Sequence, residues 1–297
     1  MMSQKAVKIG AKLVGDAQPC YIVAEIGINH NGNLDLAKQL IGIAAAAGCD
    51  AVKFQKRTVD VVYTPEELAT VRQSPFGETN GHLKHALEFG RKEYEEIDAC
   101  SKAAQIPWFA SCWDVDSIDF MIRFDAPCIK IASACLTDDR LLRYARRTGK
   151  PLVVSTGMST LEEIDHAIAV LGTENLVVLH ACSAYPASYD ELNLRVIPAL
   201  RERYDVPVGY SGHETGIPSS IAAVALGACC VERHITMDRA MWGSDQAASL
   251  EPDGIIRLVR DIRVVETSMG DGVKRVFERE YQVRKKLRRV GASAVPA

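Results

Sequence analysis

Two histidines and two carboxylates stand close together near the end of the chain, in a pattern that suits a divalent cation. Glu232-Arg233-His234-Ile235-Thr236 is followed by Gly243-Ser244-Asp245-Gln246, and Tyr210-Ser211-Gly212-His213 precedes it by about twenty residues. Each histidine closes or follows an apolar, strand-like run. Imidazole and carboxylate groups at converging strand ends are what a catalytic metal needs, with positions left open for substrate. A single histidine on a strand is ordinarily a hydrogen-bonded core residue. Two of them, with Glu232 and Asp245 at the same end of the fold, point instead to a site.

The elements that must position these groups read as a regular beat. Short apolar runs at Tyr21–Glu25, Ala51–Gln55, Pro107–Ser111, Cys128–Ala132, Leu152–Ser155, Leu176–His180, Val206–Tyr210 and Cys229–His234 alternate with amphipathic helical patterns. The helices are expected at Leu34–Ala47, Lys92–Ala104, Val115–Arg123, Asp139–Arg147, Leu161–Leu171, Leu192–Tyr204, Pro218–Leu226 and Pro252–Ser268. Strands that are apolar throughout belong to a parallel sheet covered on both faces. Eight strand–helix pairs over roughly 250 residues predict an α/β fold, the (β/α)8 TIM barrel, over a doubly wound sheet. Residues 1–20 are expected to form a β-hairpin at the barrel floor, residues 21–270 the barrel, and residues 271–297 a C-terminal tail. Gly48, Gly149, Gly172 and Gly227 stand where helix C-caps are needed, and Thr160 and Asp139 near helix starts. The Lys56–Arg91 link shows no clear pattern, and its length makes it a candidate lid whose Phe76, His82 and His85 could reach a substrate.

In such barrels the chemistry gathers at the C-terminal strand ends. Glu25 ends the first strand, while Lys53 and Gln55 share one face of the second. Ser111, Lys130 with Ser133, and Ser155 follow on the next three. His180 with Tyr185 beyond it, Ser211 with His213, and Glu232 with His234 complete the ring. A lysine in an apolar strand is costly unless it meets an anion. A structural ion pair is one solution. Among so many hydroxyls, a cradle for phosphate and carboxylate is the better one, which implies a small, doubly anionic substrate. Glu25 beside it suits a general base or a water holder.

The chain resembles the sialic acid synthase family, the N-acetylneuraminate synthases and their relatives. The matching stretches are Ala24-Glu25-Ile26-Gly27-Ile28-Asn29-His30-Asn31-Gly32, Val52-Lys53-Phe54-Gln55, Lys130-Ile131-Ala132-Ser133, Ser155-Thr156-Gly157-Met158, Tyr210-Ser211-Gly212-His213 and Glu232-Arg233-His234. The likeness runs from about Lys8 to Glu278. It implies a metal-dependent condensation of phosphoenolpyruvate with an aldose, N-acetylmannosamine by default, to a nonulosonic or similar 3-deoxy-2-ketoaldonic acid and phosphate. It further implies that His213 and His234 bind manganese or magnesium. Lys53, Gln55, Lys130, Ser133, Ser155 and Ser211 would hold phosphoenolpyruvate, with Ser111 at a matching threonine position. Glu25 would activate or position water, and Tyr185 and Asp245 would contact the sugar. Two departures stand out. The family's usual Pro-Phe after the third strand is here Cys112-Trp113, and the C-terminal antifreeze-like domain typical of the family does not follow the barrel in this sequence. Mannose, a diamino-sugar and a sugar phosphate remain alternative acceptors.

Composition narrows the field. With a net charge of −3 and no basic run before the tail, the chain shows no nucleic-acid footprint. No signal peptide opens it and no apolar run is long enough for a membrane span. Nine cysteines without CxxC spacing suggest reduced thiols and a cytoplasmic protein. A homo-oligomer is expected. Three other classes compete. A Schiff-base aldolase would use Lys53 or Lys130 as its amine. A serine hydrolase would use Gly209-Tyr210-Ser211-Gly212-His213, which lacks the second glycine of a nucleophile elbow. A non-catalytic sugar-binding barrel would not need the full set of metal and anion residues.

Overall fold

A computed structural model describes residues 5–290. Among the described residues there are twelve strands: β1 (Ala6–Ile9), β2 (Lys12–Gly15), β3 (Tyr21–Gly27), β4 (Ala51–Lys56), β5 (Val71–Ser74), β6 (Gly77–Thr79), β7 (Trp108–Cys112), β8 (Ile129–Ile131), β9 (Leu152–Ser155), β10 (Leu176–Ala181), β11 (Val208–Gly212) and β12 (Cys230–His234). The helices are α1 (Leu34–Ala47), α2 (Val59–Val62), α3 (Pro65–Ala69), α4 (Asn80–Ala86), α5 (Arg91–Ala103), α6 (Val115–Arg123), α7 (Asp139–Arg147), α8 (Leu161–Leu171), α9 (Val196–Tyr204), α10 (Pro218–Ala225), α11 (Pro252–Met269) and α12 (Glu278–Leu287).

Strands β3, β4 and β7 to β12 close into a parallel barrel in chain order, with β12 hydrogen-bonded back to β3. This is the eight-stranded (β/α)8 barrel expected from the sequence. Strands β3, β7, β8, β9, β11 and β12 are buried at every position, because barrel interior and helical coat cover both faces. In α1, Ala37, Leu40, Ile41 and Ala44 are buried, a spacing that puts one stripe against the sheet. Burying Leu40 or Ile41 contributes about 1.5–3 kcal/mol each. Asn33 starts this helix by accepting the amides of Asp35 and Leu36, and Gly48 ends it at φ 83°. Thr160 and Glu163 cap each other at the start of α8. At α7 the capping residue is Asp138 rather than Asp139.

Strands β1 and β2 form the antiparallel hairpin foreseen within residues 1–20, of which residues 1–4 lie outside the described range. Its Val7, Ile9 and Val14 are buried in the core. Lys12 pairs with Asp50, and Gly10 lies against Pro127, so the hairpin seals the N-terminal end of the barrel, opposite the site. The tail contains one helix, α12, with no buried residue, and residues 291–297 lie outside the described range.

The Lys56–Arg91 link is ordered rather than structureless. It folds into α2, α3, the β5–β6 hairpin and α4, elements too short to show a period in the sequence. Phe76 meets Trp242 edge to face at 5.7 Å, so the hairpin packs on the loop after β12. His85 pairs with Asp60 at 3.3 Å, and His82 packs against Gly77. Among the described residues no helix is long and apolar enough to cross a membrane. All nine cysteines are free and seven are buried.

Candidate active site

Parallel pairing brings the chemical residues side by side. Across β12, β3 and β4, His234 is in register with Glu25, and Glu25 with Lys53. Ser211 on β11 is in register with Glu232 on β12, and Ser111 on β7 with both Gln55 and Lys130. In-register neighbours on one face have adjacent side chains, so the barrel closes them into a ring.

That ring surrounds a cavity of about 190 Å³ at the C-terminal strand ends. Its walls carry Glu25, Lys53, Gln55, Ser111, Lys130, Ser133, Ser155, Tyr185, Ser211, His213 and His234. Asp245 is the exception among the nominated residues. It stands beside His234, with Oδ2 3.7 Å from Nδ1, and accepts a hydrogen bond from Ser244. His180 also stays out of the cavity, its Nε2 bonded to the Leu192 carbonyl at 2.7 Å. Phe76, His82 and His85 are not on its walls either.

Lys53 and Lys130 are buried in the cavity wall, and both anchor to hydroxyls. Lys53 donates to Ser111 at 2.8 Å, Lys130 to Ser155 at 2.6 Å. Lys53 also lies 3.2 Å from Glu25 and 3.1 Å from Glu232, and Lys130 is 3.9 Å from Glu232. The ion-pair and cradle readings of these lysines therefore coincide: each is partly neutralised while still facing the cavity. Glu232 sides with the lysines and also accepts from Ser211 at 3.0 Å.

The charges of the cluster separate. Burial raises the Glu25 carboxyl well above the carboxylate range, with Lys53 opposing. Glu232 goes the other way, because Lys130 and Lys53 together outweigh the same desolvation. Burial draws Lys130 down to about 8, offset in part by Glu232. Lys53 feels burial too, but the two carboxylates hold it above its ordinary value. Near neutral pH the cluster is thus two ammonium groups, one carboxylate and one carboxylic acid, net positive toward the cavity. Two carboxyls with values pushed apart are a mark of acid–base sites.

The histidines are neutral. Burial lowers His213 to about 4 and His234 to about 3. Their rings lie 5.5 Å apart. His213 bonds through Nδ1 to the Cys182 carbonyl at 2.6 Å and through Nε2 to the Tyr185 hydroxyl at 2.9 Å. With a carbonyl acceptor on Nδ1, that nitrogen carries the proton and Nε2 offers its lone pair. His234 Nδ1 is buried with no hydrogen-bond partner among the described residues. Three more such buried atoms belong to the same cavity wall, on Trp113, Glu232 and Glu25, the last of which meets only the Lys53 ammonium at 3.2 Å. Such concentrations of unmet polar groups mark places where a ligand completes the bonding.

Other contributors escaped the sequence reading. Gly27 follows a register shift in β3 at φ 54°, and a Cβ there would press on Glu25, Gln55 and His234 at 3.0–3.4 Å. Met158 and Ser183 line the cavity, although neither residue type announces chemistry. Arg57 donates to the Gln55 side-chain oxygen Oε1, which turns the Gln55 amide nitrogen toward Glu25 Oε1, 3.4 Å away.

Comparison with known proteins places the chain in a family. The NeuB family model matches residues 40–274. The chain is 38% identical over 279 residues to the N-acetylneuraminate-9-phosphate synthase of Homo sapiens, covering 92% of this chain and 78% of that one. It is 36% identical over 290 residues to the N,N'-diacetyllegionaminic acid synthase of Legionella pneumophila, covering 94% and 82%. A solved N-acetylneuraminic acid (sialic acid) synthetase from Leptospira borgpetersenii superposes with a TM-score of 0.82 at 31% identity, covering 97% of this chain and 99% of that one. With a barrel whose mouth gathers paired lysines, hydroxyls and histidines, and with relatives that are synthases of sialic, legionaminic and related sugar acids, the chain belongs to the NeuB family and is an enzyme of nonulosonic acid synthesis.

Proposed function

We propose that this enzyme condenses phosphoenolpyruvate with an aldose, N-acetylmannosamine by default, in a metal-dependent reaction that yields a nonulosonic acid and inorganic phosphate. The observation that carries the reading is the single cavity that holds both lysines, their hydroxyl partners and the two neutral histidines. Lys53 and Lys130 supply charge to the phosphate and carboxylate of the enol phosphate. Ser111, Ser133, Ser155, Ser211 and Gln55 supply directed hydrogen bonds, fixed before substrate arrives.

His213 and His234 are the residues that would hold manganese or magnesium. The fit is chemical: both rings are neutral, one ring nitrogen of His213 is fixed by a carbonyl as ligating histidines require, and His234 Nδ1 is buried and unpartnered. Among the described residues no group of three or more His, Cys, Asp or Glu is set for a metal, so substrate and water oxygens would complete the shell. When bound, the metal supplies Lewis-acid polarisation of the aldehyde.

The enol phosphate's methylene carbon forms the new bond to the aldehyde carbon. Water adds at the adjacent carbon of the enol phosphate, and phosphate leaves with its bridging oxygen as that C–O bond breaks. Glu25, held as the acid in the free enzyme and adjacent to Lys53, is placed to position that water and to exchange its proton once the incoming anion engages Lys53. Tyr185 orients His213 and flanks the acceptor.

The reading is tested by phosphate release from phosphoenolpyruvate across a panel of aldoses, with and without EDTA, together with manganese binding measured by calorimetry. His234→Ala is expected to lose both turnover and manganese binding while keeping the wild-type circular dichroism spectrum. Full activity in EDTA-treated protein would overturn the metal. Borohydride trapping of a pyruvate–lysine adduct would favour the aldolase, the reading that the lowered Lys130 supports.

A further inference from the structure

The Lys56–Arg91 link meets the site from behind, through one buried cation. Arg57 follows β4 and is only 5% exposed, yet it is not on the wall of the reaction cavity. Four groups hold its guanidinium. One terminal nitrogen donates to the Tyr63 hydroxyl at 3.0 Å, and the other donates to the side-chain oxygen of Gln55. Its Nε lies 3.7 Å from Glu88 Oε2, and its central carbon lies 4.6 Å from the Trp113 ring centre, in the range of a cation–π contact. Tyr63 and Glu88 both belong to the link, so the folding of the link fixes where this cation stands.

A guanidinium has donors and no acceptor. The Gln55 atom that meets it must therefore be the amide oxygen, which leaves the amide nitrogen on the other side. There Nε2 lies 3.4 Å from Glu25 Oε1, and Gln55 lines the cavity. Gly27 makes room for this pair, since a Cβ there would stand 3.0 Å from Glu25 Oε1 and 3.2 Å from Gln55 Nε2. An amide nitrogen carries two N–H groups, so one remains for a ligand once Glu25 has taken the other. An unheld glutamine turns its amide over easily, because that torsion is broad and roughly two-fold. Turned over, Gln55 would set a lone-pair oxygen against Glu25 and against any anion in the cavity.

We propose that Arg57 is a positioning residue for the enol phosphate. It touches no substrate. By holding the Gln55 oxygen it makes Gln55 meet the cavity only as a donor, to Glu25 and to the incoming anion. The inference rests on the condensation proposed above, and one arm of its test needs no turnover.

That arm follows the Gln55 side-chain amide in substrate-free protein by NMR with isotope-labelled glutamine, assigned by its loss in Gln55→Met. Held between Arg57 and Glu25, the amide should exchange its hydrogens more slowly than exposed glutamines do, and this protection should be lost in Arg57→Met. The variant keeps apolar bulk, and Glu88 retains Lys56 at 2.5 Å, so no carboxylate is left unanswered. In steady-state kinetics Arg57→Met should raise the KM for phosphoenolpyruvate roughly 3- to 10-fold, the worth of one neutral hydrogen bond. The acceptor KM should hold at the wild-type value. Added to Gln55→Met, Arg57→Met should change the KM for phosphoenolpyruvate by less than about 2-fold, because the amide it acts through is gone. An unprotected Gln55 amide in the wild type would overturn the inference. So would an unchanged KM for phosphoenolpyruvate in Arg57→Met, an equal rise for the acceptor, or a rise that persists in the Gln55→Met background. Absence of wild-type turnover with every aldose would instead overturn the proposed reaction, and the amide signal would still decide the orientation.

Discussion

Arg233 and Glu214 are both fully buried and pair at 3.0 Å, each next in sequence to one of the two site histidines. The guanidinium also reaches the carbonyls of Gly216 and Glu214 at 2.7 and 2.6 Å and the Ser220 hydroxyl at 2.8 Å. The Tyr210 hydroxyl donates to the carboxylate at 2.8 Å. This network ties the loop bearing His213 to the strand bearing His234. Removing one partner of such a pair leaves the other charged, buried and unanswered.

Arg233→Met is therefore expected to destabilise the protein by about 3–5 kcal/mol. The check is a urea titration, where the midpoint should fall at an unchanged slope. Adding Glu214→Leu to that variant should recover part of the loss. A single variant within ~1 kcal/mol of wild type would mean that the pair is not a structural tie.

The lysines allow a prediction with a defined pH window. Lys53→Met and Lys130→Met should each raise the KM for phosphoenolpyruvate by about 10- to 100-fold, as expected for a charge-assisted contact worth roughly 1.5–3 kcal/mol. Lys130 sits at about 8 in the fold against 10.5 when unperturbed. Its charge is full below about 8 and lost above it, so phosphoenolpyruvate affinity should weaken as pH rises through 8. Lys130's own effect on folding has the opposite sign. The fold disfavours the ammonium, so its penalty is greatest at neutral pH and is relieved between about 8 and 10.5. A KM profile measured from pH 7 to 9.5 should bend near 8 in wild type, and the bend should shrink in Lys130→Met, where only Glu25, raised by burial, still titrates in that range. Identical profiles would exclude the assignment.

Gly27→Ala should damage turnover more than stability. The new methyl would sit at 3.0 Å from Glu25 Oε1 and 3.2 Å from Gln55 Nε2, at a φ that L-residues resist. Such backbone strain costs on the order of 1–2 kcal/mol. The displaced carboxylate should lower kcat by more than the corresponding ~5- to 30-fold. Calorimetric melting and kcat measured on the same preparation decide it, and a variant with wild-type kcat would count against the placement of Glu25.

Much of this architecture could be read from residue order because its signals are local. Helices at Leu34–Ala47, Val115–Arg123 and Leu161–Leu171 begin and end where expected, since Asn33, Asp114 and Thr160 cap them within three residues. The ring of site residues was equally legible, because barrel strands place their C-terminal residues at one mouth. Where a signal depends on distant partners, it failed. The helix expected from Leu192 begins at Val196, because Asn193 takes a positive φ and the Leu192 carbonyl meets His180. Glu232 lines one cavity with the histidines, but its pairing with Lys53, far away in sequence, was not foreseen. Arg57 went unnoticed, because the Trp113 ring it stacks on follows β7, more than fifty residues away in sequence. Helix α12 is rich in charge and touches no core, so no apolar stripe announced it.

The pairing of β12 with β3 has one more consequence. His234 and Glu25 are neighbours only across that seam, though more than two hundred residues separate them in the chain. A barrel with seven strands in place would have most of its helices and much of its core, yet the two residues would face solvent on opposite edges. Loop closure over that distance is entropically late. Recovered activity during refolding is therefore a measure of ring closure itself, and it should lag behind the return of helical signal.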